Sequence, residues 1–173
     1  ACGLCVDACP VKVKSEFDTG ISIRNAIYIP FPQAVPNAYL VDEENCRYVL
    51  SEGQKCAVCE RKCPKDCIIL DEEDSSTDIE VGNIIIATGY ELLDVSQIDQ
   101  YGYGKFPNVL TSLEFERLTN ASGSTGGKIV CKTKQYNRKT KQDEWVFTPE
   151  GMPPRNVAII HCVGSRNKNY NAY

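Results

Sequence analysis

Cys2-Gly-Leu-Cys5-Val-Asp-Ala-Cys9-Pro10 reads C-x2-C-x3-C-P, and Cys56-Ala-Val-Cys59-Glu-Arg-Lys-Cys63-Pro64 repeats it 54 residues later. Few sequence features restrict a fold as strongly, because thiols at this spacing must be gathered by something other than packing. The whole chain has 173 residues, ten of them Cys. Its first third is too poor in apolar residues to build an unaided core. A tight turn can present closely spaced thiolates to adjacent corners of an inorganic iron–sulfur cube. The Cys before Pro is then directed elsewhere, with Pro turning the chain behind it.

The bacterial ferredoxin run is C-x2-C-x2-C-x3-C-P, whose fourth Cys ligates the other of two clusters. Each segment here holds the last three cysteines of that run. The first Cys of the second run is displaced to Cys46, with nine residues between it and Cys56. The spacing therefore assigns one [4Fe–4S] cluster to Cys46, Cys56 and Cys59, with Cys9 crossing over. The second takes Cys2, Cys5 and Cys63, and its remaining ligand is expected two residues before Ala1. The expected activity is the movement of single electrons.

Disulfides and structural zinc are the rival uses of so many thiols. Cysteines at x2 spacing make poor disulfides, and the N-terminus has neither the basic region nor the apolar run of a signal peptide. Zinc accepts C-x2-C pairs readily but has no need of a repeated C-x3-C-P tail. Cys67, in Pro64-Lys65-Asp66-Cys67, and Cys131, in Ile129-Val130-Cys131, read as small buried core residues, the second on a strand.

The remaining sequence changes character at Asp71-Glu72-Glu73-Asp74-Ser75-Ser76, an acidic linker. Two regions are expected, 1–72 and 78–173. In the first, Ile27-Tyr28-Ile29-Pro30-Phe31-Pro32-Gln33-Ala34-Val35-Pro36 reads as an extended, proline-set ribbon. In the second, Ile84-Ile85-Ile86-Ala87-Thr88-Gly89 and residues 156–161 read as buried strands of a parallel sheet. Thr111 and Glu114 form a capping box at the start of a helix. The polar stretch from Lys132 to Glu144, followed by Trp145-Val146-Phe147, reads as a long hairpin. The net charge of −4 gives no basic signature for nucleic acid. No stretch approaches the roughly 18–20 apolar residues of a membrane span. The first residues fall inside a motif, so the sequence reads as an excerpt of a longer polypeptide.

The strand ending in Ala87-Thr88-Gly89 resembles the corresponding element of thioredoxin-reductase-like flavoproteins. No G-x-G-x-x-G fingerprint accompanies it. Taken with Cys-Gly-Leu-Cys-Val-Asp-Ala-Cys-Pro, the Tyr28–Pro36 ribbon, Ile86-Ala87-Thr88-Gly89-Tyr90, Pro107-Asn108-Val109-Leu110-Thr111-Ser112-Leu113-Glu114-Phe115-Glu116-Arg117 and Cys162-Val163-Gly164-Ser165-Arg166, the chain resembles the heterodisulfide reductase A-subunit family. The resemblance covers nearly the whole chain.

It implies an α+β architecture: a ferredoxin-like two-[4Fe–4S] domain inserted in, or joined to, part of a thioredoxin-reductase-like α/β FAD domain. Thr88 and Gly89 would lie beside an FAD shared with segments outside these residues. That flavin is the point where electron pairs are split or merged, as in flavin-based bifurcation. Cys162 would ligate a further [4Fe–4S] cluster, the alternative being a buried strand-end Cys; His161 reads as structural. The implied setting is cytoplasmic and anaerobic. Implied partners are other subunits of the complex, hydrogenase or dehydrogenase electron donors, and ferredoxin. Within the family, service to quinone-interacting or aromatic-ring-reducing complexes is an alternative task. A zinc-stabilised interaction module is the alternative of another class. No catalytic constellation of hydrolytic type is visible.

Overall fold

The computed structural model describes residues 2–73, 75–137, 140–167 and 171–172. The chain forms two compact units, Ala1–Ile79 and Glu80–Tyr173. Its regular elements are short helices and two-stranded antiparallel sheets, a small α+β architecture.

The first unit is built around the repeated motif, and the repeat in sequence is a repeat in backbone. Helix α1 (Leu4–Ala8) starts from Gly3 in the left-handed region, φ 81°. Helix α2 (Val58–Arg61) starts from Ala57 in the same region, φ 60°. Asp7 N donates to Gly3 O at 3.1 Å and Cys9 N to Val6 O at 3.1 Å. Fifty-four positions on, Arg61 N donates to Ala57 O at 3.2 Å and Cys63 N to Glu60 O at 3.0 Å. The left-handed residue turns the chain sharply after the first Cys, so the next Cys enters on a helical turn beside it. The two helices pack on one another, and α1 also meets strand β3 (Ile27–Tyr28).

Strands join the motifs. β1 (Lys12–Lys14) pairs antiparallel with β2 (Ile23–Asn25), in the register Val13↔Arg24. β3 pairs with β4 (Leu40–Val41), Ile27 opposite Val41. Ala26 and Ile27 are buried, while Val35 at the tip of the proline ribbon is exposed. The ribbon contains no helix, and Phe31 on it stacks with Phe17 at 5.1 Å between ring centroids. The acidic linker residues 71–73 and 75–76 are exposed, and Asp74 lies outside the described residues.

In the second unit, helix α3 (Ser112–Thr119) carries the expected capping box. Thr111 N donates to Glu114 Oε2 at 2.7 Å, and Glu114 N donates to Thr111 Oγ1 at 3.2 Å. Two orphan donors of the first turn are thereby satisfied. Leu118 is 1% exposed, and the buried Thr125 hydroxyl bridges Leu118 O and Lys128 O at 3.1 and 2.8 Å. β5 (Thr133–Asn137) and β6 (Gln142–Val146) form the expected hairpin, with Lys134 opposite Trp145; residues 138–139 at its turn lie outside the described residues. β7 (Arg166–Asn167) pairs with β8 (Asn171–Ala172).

The parallel sheet does not form among the described residues. Residues 84–86 and 156–161 belong to no sheet, and Ile85 is 90% exposed. A strand apolar on both faces needs elements above and below it, and no described element supplies them. Ile129, Val130 and Cys131 likewise lie outside a strand, although Cys131 N donates to Met152 O at 2.8 Å.

Candidate metal centre

All ten cysteines are free thiols. In the first unit they fall into two groups, each drawing on both motifs. Burial pushes the Cys5 thiol up from its ordinary value, and the neighbouring Cys2 and Cys63 sulfurs add to the effect. Burial also pushes Cys59 up, with the Cys46 and Cys9 sulfurs adding to the effect. Cys63 of the second motif lines one cavity with Cys2 and Cys5 of the first, while Cys9 of the first lies within electrostatic range of Cys59, as does Cys46. Cys56 lies at the left-handed turn before α2, φ 88°, where its carbonyl accepts from Arg61 Nη1 at 2.7 Å.

The first group lines a cavity of about 1060 Å³ together with Cys67, Tyr39 and Lys65, with Leu4, Ile27 and Ile68 also in its wall. Burial, with the Cys5 and Cys2 sulfurs nearby, pushes the Tyr39 hydroxyl up from its ordinary value. The Cys63 thiol is pulled down by the backbone N–H groups of Cys67 and Lys65, by the Cys67 thiol and by the N–H of Asp66. These amides are converging donors around sulfur, made possible by the left-handed Asp66, φ 49°.

Cys46 is placed by backbone hydrogen bonds just after β4. Asp42 N donates to Ala26 O at 2.7 Å, which fixes the end of β4; Cys46 N then donates to Asp42 O at 2.7 Å. The Asp42 carboxylate accepts from Asn45 N at 3.0 Å and pairs with Arg24 Nη1 at 2.8 Å. Arg24 also pairs with Glu16 at 2.6 Å and lies 3.9 Å from the centre of the Tyr28 ring.

The donor set fits an iron–sulfur cluster. Soft thiolates favour zinc, copper(I) or iron–sulfur centres. Among the described residues, no three His, Cys, Asp or Glu side chains are gathered tightly enough to clamp a single ion. A cube holds its thiolates at separate corners and needs a roomier cradle, such as the one Cys2, Cys5 and Cys63 line.

Two expectations about single thiols are corrected. Cys67 is exposed, not buried, because the left-handed turn at Asp66 brings it back toward Cys63. Cys162 is exposed too, at φ 56° in a turn whose carbonyl accepts from Ser165, instead of closing a buried strand. Gly89 takes φ 77° with open space around the position of a Cβ. Sequence reasoning passes over Tyr39, which lines the cavity with Cys2 and Cys5, and over Asp42 and Arg24, which brace the turn carrying Cys46. Cys67 carries a signal of its own in Cys-Pro-x-x-Cys, which sets a further thiol one turn after a ligand. No described helix is long and apolar enough to cross a membrane.

No family profile matches the chain. Among curated proteins it is 40% identical over 167 residues to the A subunit of the H(2):CoB-CoM heterodisulfide,ferredoxin reductase of Methanothermobacter thermautotrophicus, covering 96% of this chain and 22% of that protein. It is 43% identical over 166 residues to the second iron-sulfur A subunit of the CoB--CoM heterodisulfide reductase of Methanopyrus kandleri, with 96% and 22% covered. With the A subunit of the ferredoxin:CoB-CoM heterodisulfide reductase of Methanosarcina mazei it shares 34% over 165 residues, 95% of the chain and 18% of that protein. These relatives are subunits of oxidoreductases. As a segment spanning about 22% of the length of the first of them, the chain belongs to the heterodisulfide reductase A-subunit family.

Proposed function

We infer that this segment carries electrons for a heterodisulfide-reductase-like oxidoreductase through two [4Fe–4S] clusters in the first unit. Cys46, Cys56, Cys59 and Cys9 would hold one. Cys2, Cys5 and Cys63 would hold the other, with a ligand from before Ala1. The observation that carries this is a thiol exchanged between the motifs: Cys63 of the second lines one cavity with Cys2 and Cys5 of the first. Such an exchange sets two centres close together, which single-electron relay requires.

Bound clusters would supply one-electron chemistry with little change of structure, tuned by hydrogen bonds to sulfur and by burial. The chain's own residues provide that tuning. Backbone amides of residues 65–67 would stabilise negative charge at Cys63, and Tyr39, Leu4, Ile27 and Ile68 line the same cavity. The second unit would add a flavin contact at Thr88 and Gly89, with open space at Gly89 for close approach. The FAD would be shared with parts outside these residues, and Cys162 would ligate a further cluster. Partners would be the other subunits of the complex, its hydrogenase or dehydrogenase donors, and ferredoxin. Splitting of electron pairs at the flavin would belong to that complex.

Anaerobic purification followed by iron, acid-labile sulfide and zinc determination tests the metal assignment. Iron and sulfide in equal amounts, roughly seven or eight of each per chain from the first unit, are expected of two such clusters. Zinc without sulfide would replace electron transfer with a structural metal module.

A further inference from the structure

We propose that Cys67 is a reserve cluster ligand, able to take over the corner held by Cys63; this rests on the two-cluster reading above. The two Sγ atoms stand 3.5 Å apart, and both thiols line the cavity that Cys2 and Cys5 line. Sulfurs that close cannot serve two corners of a cube without moving apart, but either can reach the same iron. The connecting segment is three residues long, Pro64-Lys65-Asp66, and its turn is fixed by Asp66 N donating to Cys63 O at 3.4 Å. The turn thus holds the second thiol beside the first. Exposure on its outer side leaves Cys67 free to move the short distance an exchange demands.

The exchange balances without an oxidant. The iron–Sγ bond to Cys63 breaks, that to Cys67 forms, and the proton leaving Cys67 is taken up by Cys63. Such a spare thiol would let the centre survive modification of Cys63.

The test uses Cys63→Ala, Cys67→Ala and the double variant in the full chain, each loaded anaerobically with iron and sulfide. Both single variants should retain the iron, sulfide and cluster EPR intensity of the unsubstituted chain. The double variant should lose roughly half of each, one of two clusters. The signal of the Cys46 cluster, present throughout, reports that the unit has folded. Protection from alkylation gives a second readout. Cys67 should react with iodoacetamide in the loaded unsubstituted chain and become protected in Cys63→Ala. If Cys63→Ala is as depleted as the double variant, or leaves Cys67 alkylatable, the reserve-ligand proposal falls while the two clusters stand. If the unsubstituted chain takes up iron without sulfide, or none, the two-cluster reading itself falls.

Discussion

Arg24 is held on three sides, by Asp42, Glu16 and the Tyr28 ring, and Asp42 in turn fixes the turn that carries Cys46. Asp42 is largely buried, so removing its cation leaves a poorly solvated carboxylate. Arg24→Ala should cost about 3–5 kcal/mol by denaturant unfolding, and should lower iron retention more than Glu16→Gln, whose carboxylate is largely exposed. The pair also dictates an acid limb. Burial pushes the Asp42 carboxyl up, but hydrogen bonds from Asn45 and Arg24, with the guanidinium charge, outweigh it and hold Asp42 below the ordinary value. A carboxyl depressed on folding contributes stability that is complete above its unfolded pKa and disappears as pH falls through the folded one. Stability should therefore decline below about pH 4, and Asp42→Asn should flatten that decline in unfolding curves taken from about pH 2 to 7. None of this is legible in the sequence. Arg24 and Asp42 are eighteen positions apart, and only the pairing of β1 with β2 and β3 with β4 brings them together.

Elements whose signals are local are readable. Thr111 and Glu114 announce α3 because both capping bonds span three residues. Thr111→Ala should cost about 1 kcal/mol, with Thr111→Ser restoring most of it, as thermal unfolding would register. The cysteine motif is readable for the same reason, since each copy closes its own turn. The two copies differ at one telling place: Gly3 and Ala57 share a left-handed conformation that only glycine adopts freely. Ala57→Gly should be stabilising or neutral, whereas Gly3→Ala should destabilise by about 1 kcal/mol; paired melts of the two variants would check the sign. The apolar run at residues 84–86 shows the opposite case. Its composition fits a buried parallel strand, but burial depends on covering elements, and none of the described ones provides them. Periodicity reports what a segment would bury, not whether a neighbour is present. Cys67 obeys the same rule: a small apolar side chain suits a core, but the turn at Asp66 decides where it sits.

At the scale of the whole molecule, the first unit is a set of turns wrapped around thiols. Among its described residues the buried apolar side chains are Cys5, Ala26 and Ile27, too few to offset the entropy of ordering roughly eighty residues. Metal binding should thus be coupled to its folding. Removing iron with an anaerobic chelator should abolish the protection of the α1 and α2 amides in hydrogen exchange, while α3, capped and burying Leu118, stays protected. The central claim is that two clusters share this unit through exchanged ligands. Low-temperature EPR of the dithionite-reduced full chain tests it most directly, because two reduced cubes linked by exchanged ligands would couple magnetically. A broadened, spin-coupled signal that sharpens to an isolated one in Cys59→Ala is the expected result. A colourless, EPR-silent protein holding zinc, or a single uncoupled signal unchanged by Cys59→Ala, would contradict it.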